Sequence, residues 1–182
     1  MLENDAISAG IGSLISTAEI KVLICYVIKG VNSPVPGKQL ANLLNIEGIA
    51  NYFEVMDALE ALLNSDNLTY NEEDDTYFVT EKGASASETL KTILPFTIKE
   101  KAFALTAKMI ARLKNAKDTK IETVKENGVT YLVCSAVENG VDLMSVKIMV
   151  TDETQKEAIK ERFLDDPSKI YTGIIDLFTT DN

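Results

Sequence analysis

The chain has 182 residues, enough for one large domain or two small ones, and its 46% hydrophobic content is sufficient for a packed core. It carries a formal net charge of −10 and no histidine, which removes Ser-His-Asp and Cys-His nucleophile pairs and the commonest zinc ligand together. No apolar run approaches the roughly 18 residues of a membrane span, and the N-terminus lacks the basic region of a secretory signal, so a cytoplasmic protein without membrane contact is expected.

Residues Met1 to Ile15 mix Gly10, Gly12 and Ser13 with isolated apolar residues, and read either as a loosely ordered arm or as a strand that docks on a partner. Ser16 and Glu19 then form a capping box ahead of Ile20, Leu23, Ile24, Val27 and Ile28, an amphipathic helix that Gly30 is expected to end. Asn32 to Pro36 reads as a proline-bearing connection, and Leu40, Ala41, Leu43 and Leu44 as a short second helix from Gly37 to Asn45.

After a turn at Ile46 to Ala50, Asn51 offers an N-cap for a third helix whose apolar stripe is Tyr52, Val55, Met56, Leu59, Leu62 and Leu63. Ser65 to Asn67 should stop it, because short polar side chains compete with the helix for backbone hydrogen bonds. Two short strands, Leu68 to Tyr70 and Thr76 to Val79, flank the polar turn Asn71 to Asp75, and Thr80 is placed to cap a further helix from Glu81. Helix, wing and helix in quick succession read as the second half of a winged helix.

The run from Ile20 to Gly83 resembles the winged-helix domains of bacterial transcription regulators of the MarR and PadR kind, with Thr80-Glu81-Lys82-Gly83 after the wing as its most recognisable piece. Over nearly its full length the chain resembles an uncharacterised bacterial family known only as a domain of unknown function, which pairs such a domain with a C-terminal α/β region. Asn51, Tyr52 and Phe53 at the start of the third helix, and Tyr171 in the last helix, carry that likeness. The first resemblance implies a dimeric DNA-binding regulator; the second brings no activity with it.

Beyond the wing, Leu90, Ile93 and Leu94 close one helix and Pro95 stands at the start of another, where proline is tolerated. The boundary is placed there, giving a winged-helix domain over 1–94 and an α/β dimerisation or sensing domain over 95–182. The second helix carries a broad apolar stripe of Ile98, Ala102, Phe103, Leu105, Met109, Ile110 and Leu113. Such a stripe requires burial, either on the chain's own C-terminal sheet or on a second copy. Strands over Thr119 to Lys125, Val129 to Val137 and Val141 to Val150, separated by Asn127-Gly128 and Asn139-Gly140, predict a three-stranded antiparallel meander. Its middle strand is apolar on both parities, so both faces are expected to be covered. Thr151 or Asp152 caps a helix to about Leu164, and Asp166 with Pro167 opens a last one bearing Ile170, Tyr171, Ile174, Ile175 and Phe178. The fold class is therefore α+β.

Charge opposes the regulator reading. Up to Leu94 five lysines meet fourteen carboxylates, whereas the remainder is nearly balanced. The third helix presents Glu54, Asp57 and Glu60, and the wing tip is Glu72, Glu73, Asp74 and Asp75, where phosphate contact needs cations. A calcium loop is a poor match, since no glycine stands at its sixth position. Catalysis has no candidate residue, no cofactor is implied, and the protein reads as a non-enzyme. Candidate DNA contacts are Lys38, Gln39, Asn42, Asn51 and Tyr52 around the helix-turn-helix, together with Lys101, Lys108, Arg112 and Lys114 on the long helix. The alternative is a winged-helix module that binds protein and not nucleic acid. Cys25 and Cys134 lie in apolar segments and read as buried thiols, not as a disulfide.

Overall fold

The computed structural model describes residues 16–180, so the N-terminal arm lies outside the described residues. Within them are seven α-helices and two three-stranded antiparallel sheets, an α+β chain. It divides into two compact units between Ile110 and Ala111, inside a helix whose start adjoins Leu94 and Pro95.

The first unit begins with α1 (Thr17–Val31), where the Ser16 hydroxyl accepts from the Glu19 amide and the Glu19 carboxylate accepts from the Ser16 amide. This satisfies two first-turn donors that a helix leaves unpaired. Gly30 does not end the helix. The chain stays helical to Val31 and Asn32 takes the left-handed position at φ 47. A Cβ on Gly30 would stand 2.7 Å from Cε2 of Phe103, so the glycine is a notch for an aromatic ring.

Strand β1 (Val35–Pro36) lies within the stretch expected to be a plain connection. It is followed by α2 (Gly37–Ile46), α3 (Tyr52–Asn64), and the hairpin of β2 (Leu68–Asn71) and β3 (Thr76–Val79). β1 pairs with β3, Val35 opposite Tyr77, which gives the sheet the order β1-β3-β2. Proline is tolerated in β1 because the strand is at an edge and pairs on one side only.

α4 (Glu81–Leu90), a 3-10 turn at Lys91–Ile93, and α5 (Phe96–Lys117) follow. Thr80 accepts from the Gly83 amide at 3.1 Å while its hydroxyl donates to the Asp66 carbonyl at 2.8 Å. Lys82 donates to the Ser65 carbonyl at 2.6 Å, and a Cβ on Gly83 would stand 2.1 Å from the Asn67 carbonyl oxygen. The Thr80-Glu81-Lys82-Gly83 run is thus a clamp that seats α4 on the turn between α3 and β2.

Twenty-one buried residues form the core of this unit, among them Ile20, Leu23, Ile24 and Ile28 of α1, Leu40 and Leu44 of α2, and Val55, Leu59 and Leu62 of α3. Each such aliphatic side chain contributes about 1.5–3 kcal/mol when fully buried. α5 joins the same core through Ile98 and Ala102, with Phe103, Leu105, Met109 and Ile110 packed against it. The stripe that sequence offered to the C-terminal sheet or to a second copy packs here on the helical core of the first unit.

In the second unit, β4 (Thr119–Glu126), β5 (Val129–Glu138) and β6 (Val141–Met149) form the meander. Both tight turns have Asn and Gly at positive φ, 50 and 81 at Asn127-Gly128, 51 and 80 at Asn139-Gly140, as primed turns require. α6 (Glu153–Asp165) is capped by Asp152, which accepts from the Gln155 amide at 2.8 Å. α7 (Pro167–Thr179) is capped by Asp166, which accepts from the Lys169 amide at 2.9 Å.

One face of β5 is buried: Leu132 and Cys134 form a small core with Val150 and Phe163, against which Ile121, Ile159 and Ile170 pack. The opposite face differs from expectation. Val133 stands between Glu122 and Lys147, and Lys147 lies 4.6 Å above the Tyr131 ring with its ammonium 2.6 Å from Glu126. Long charged side chains cover those apolar residues with their stems, where a further layer was anticipated. Along α7 only Pro167 is buried, and Leu177 and Phe178 are 84% and 85% exposed. No helix among the described residues is long and apolar enough to cross a membrane.

Candidate functional site

Lys38 and Gln39 lie exposed in the first turn of α2, with Asn42 one turn on. The Lys38 ammonium is 3.2 Å from a carboxylate oxygen of Asp75, at the end of the wing turn, whose other oxygen accepts the Tyr70 hydroxyl at 2.7 Å. The Tyr70 hydrogen bond, and after it Lys38, hold the Asp75 carboxyl below its usual range. The turn is further shaped by Asn71, whose side-chain oxygen accepts from the Glu73 amide at 3.0 Å. The candidate cation nearest the wing is therefore paired with one of the wing's own acids.

Asn51 and Tyr52 have structural roles. The Asn51 side chain accepts from the Phe53 amide at 2.9 Å as the N-cap of α3, and Tyr52 packs half-buried on the core, edge-on to Phe53 at 5.5 Å. Glu54, Asp57 and Glu60 are exposed on α3. Ile46 and Phe53, the latter noted in the sequence only for the family likeness, are 79% and 73% exposed at the end of α2 and the start of α3. Both fall off the apolar spacing of their helices, which was the available signal.

The long helix divides its candidates. In the first unit, Lys101 reaches the C-terminal cap of α2, 2.9 Å from the Glu47 carboxylate and 3.2 Å from its carbonyl, while Lys108 is exposed two turns on along the same side. In the second unit, the Arg112 guanidinium is 2.5 Å from Glu161 and 3.3 Å from Asp165, both on α6. Lys114 is exposed. Arg112 thus fastens the end of α5 to α6, helped by Asn115, whose amide donates to the Leu164 carbonyl at 3.0 Å. Elsewhere in the first unit Glu88 binds both Lys29 and Lys91, and these two hydrogen bonds hold its carboxyl down at about 2.

The second unit also contains an apolar cleft of about 330 Å³. Val146 and Ile148 of β6 form one wall, Ile159 and Phe163 of α6 the other, Ile170 of α7 one end, and Arg162 part of the rim. Sequence reasoning did not locate it. Among the described residues no group of three or more His, Cys, Asp or Glu side chains is arranged to hold a metal ion.

A helical unit with a small three-stranded sheet, followed by a meander carrying two helices, defines a two-unit α+β protein. The chain belongs to the family described as Domain of unknown function (DUF4364), whose model matches residues 20–178. No curated protein and no solved structure matches it.

Proposed function

We propose that the first unit is a winged helix of the MarR and PadR kind and that the protein is a dimeric transcription regulator that binds DNA. The observation that carries this reading is the strand pairing: a two-residue strand between α1 and α2 pairs with the far strand of the hairpin, giving the order β1-β3-β2 beside three packed helices. That arrangement leaves one face of α3 exposed beside a wing, as a groove-reading helix must be. Fold analogy alone does not carry function, and the charge must be reconciled with it. Lys38 and Lys101 have side chains 66% and 46% exposed, and ion pairs so open to solvent are weakened by screening and hold their partners loosely. Exchanging their carboxylates for phosphates therefore costs little, whereas the acids of α3 and the wing keep affinity modest. Two copies would join through the exposed apolar residues of α7, with Ile175, Leu177 and Phe178 at the centre.

Fluorescence anisotropy of genomic fragments at low salt tests the reading. Lys38→Ala and Lys101→Ala should each lower the slope of log affinity against log salt by about 0.9, as should Lys108→Ala and Lys114→Ala. Arg112 is unsuitable, because its removal frees two carboxylates of α6. Absence of binding by the wild-type chain at low salt sinks the regulator. In that case the second reading stands: a protein-binding module, favoured by two exposed apolar anchors, Ile46 at the end of α2 and Phe53 on α3, the helix that also exposes Glu54 and Asp57.

A further inference from the structure

The cleft of the second unit has the composition of a small-molecule site: a mostly apolar lining with two long polar side chains, Gln155 and the single cation Arg162. Its volume of about 330 Å³ stands at the lower end of the roughly 300–1,000 Å³ range of such sites. Val146, Ile148, Ile159, Phe163 and Ile170 supply the walls, so an occupant must bring an apolar body.

The rim decides the other end of that molecule. Arg162 and Ile170 line both the apolar cleft and a neighbouring polar depression of about 210 Å³ that holds Asp165, Asp166 and Lys169. Arg162 therefore stands on the ridge where apolar wall gives way to polar wall. Among the described residues it makes no ion pair, in contrast to Arg112, which holds Glu161 and Asp165. The two acids of the depression already have partners: Asp165 is held by Arg112, and Asp166 caps α7 by accepting from the Lys169 amide. A guanidinium is strongly suited to a carboxylate, to which it donates two parallel hydrogen bonds. One guanidinium on the apolar rim matches a single negative charge, and the aspartates of the depression make a dianion such as a phosphate monoester the poorer fit.

We propose that this cleft binds a small amphipathic monocarboxylate, its apolar body between β6 and α6 and its carboxylate on Arg162. The inference concerns the second unit alone and holds whether or not the first unit binds DNA.

The test is calorimetric titration of the full chain with butanoate, hexanoate and octanoate, and with 1-octanol and octylamine as controls for charge. Affinity should climb about fourfold per added methylene, the ratio expected from about 0.8 kcal/mol per buried CH₂. Octanoate should bind more tightly than 1-octanol, and octylamine most weakly. Arg162→Gln should weaken octanoate by about two- to fivefold, the range of a solvent-exposed charge pair, and leave 1-octanol unchanged. Ala158 also lines the cleft, so Ala158→Phe should fill it and abolish binding of both while the melting temperature is retained. Octylamine binding as tightly as octanoate overturns the carboxylate assignment. Affinity independent of chain length, or binding that survives Ala158→Phe in a folded protein, overturns the cleft as the site.

Discussion

The two units differ most in how much apolar surface each buries. The first has a core of twenty-one buried residues drawn from four helices, two strands and the loops between them, whereas the second, with its meander and two helices, has four. The second also exposes Val141, Leu143 and Met149 on β6 and Tyr171, Ile175, Leu177 and Phe178 on α7. Net stability is a small difference between large burial and entropy terms, so a unit this lightly packed sits near the margin. Exposed apolar residues occur in both units, Ile46, Phe53 and Phe96 in the first among them, so the difference lies in the size of the core and not in the surface.

The largest test of that contrast is truncation of each core. Leu23→Ala in α1 should cost about 3–5 kcal/mol, and Leu132→Ala in β5 about 2–3 kcal/mol, because fewer fixed neighbours surround the smaller cavity. Denaturant titration followed by circular dichroism measures both. A greater loss at Leu132 would break the comparison.

Gly83→Ala comes next. Its Cβ would meet the backbone carbonyl of Asn67, which cannot swing aside, so the clamp on α4 must open at a cost of about 1–3 kcal/mol. The counterpart in the lightly packed unit has the opposite sign: Gly173 lies mid-helix in α7 with open space around its Cβ position. Gly173→Ala should raise stability by up to about 1 kcal/mol, read as a higher thermal midpoint.

The smallest effect is electrostatic and confined to the first unit. Glu88 titrates at about 2 in the folded chain against an ordinary 4.5, because Lys29 and then Lys91 stabilise the carboxylate. A depressed carboxyl contributes stability above its unfolded value and loses it as pH falls towards the folded one. The difference in melting temperature between wild type and Glu88→Gln should therefore be present at neutral pH and shrink between about 4.5 and 2. A difference that persists at the acid end would remove the ion pairs as its cause.

What was legible in the sequence followed from local chemistry. Helix starts at Ser16, Asn51, Thr80 and Asp166 were readable because a cap is a local hydrogen bond, as was the start at Thr151 or Asp152, between which the structure selects Asp152; the two Asn-Gly turns were readable because they demand positive φ. What escaped depended on residues far apart in the chain. β1 is two residues long, one a proline, and exists only because Tyr77 and Thr76 lie alongside. Gly30 has the composition of a stop signal, yet its role is fixed by Phe103. The structural roles of the candidate site residues were equally hidden: Asn51 caps α3, Tyr52 packs half-buried on the core, and Lys38, Lys101 and Arg112 have carboxylate partners that no linear spacing announces. The cleft is likewise a product of helix placement against a sheet, with no signature of its own.

Each unit also has one cysteine in its core, Cys25 in the first and Cys134 in the second. Burial pushes the Cys25 thiol up to about 11 and raises that of Cys134 in the same direction. Only a thiolate attacks an alkylating reagent, so both sulfurs are silent for as long as their surroundings are closed. The unaltered chain thus contains a pair of internal stopwatches. Pulsed alkylation with peptide mapping times the opening of the two units separately in one sample, and a molecule seated in the cleft should slow the Cys134 clock while the Cys25 clock keeps its rate.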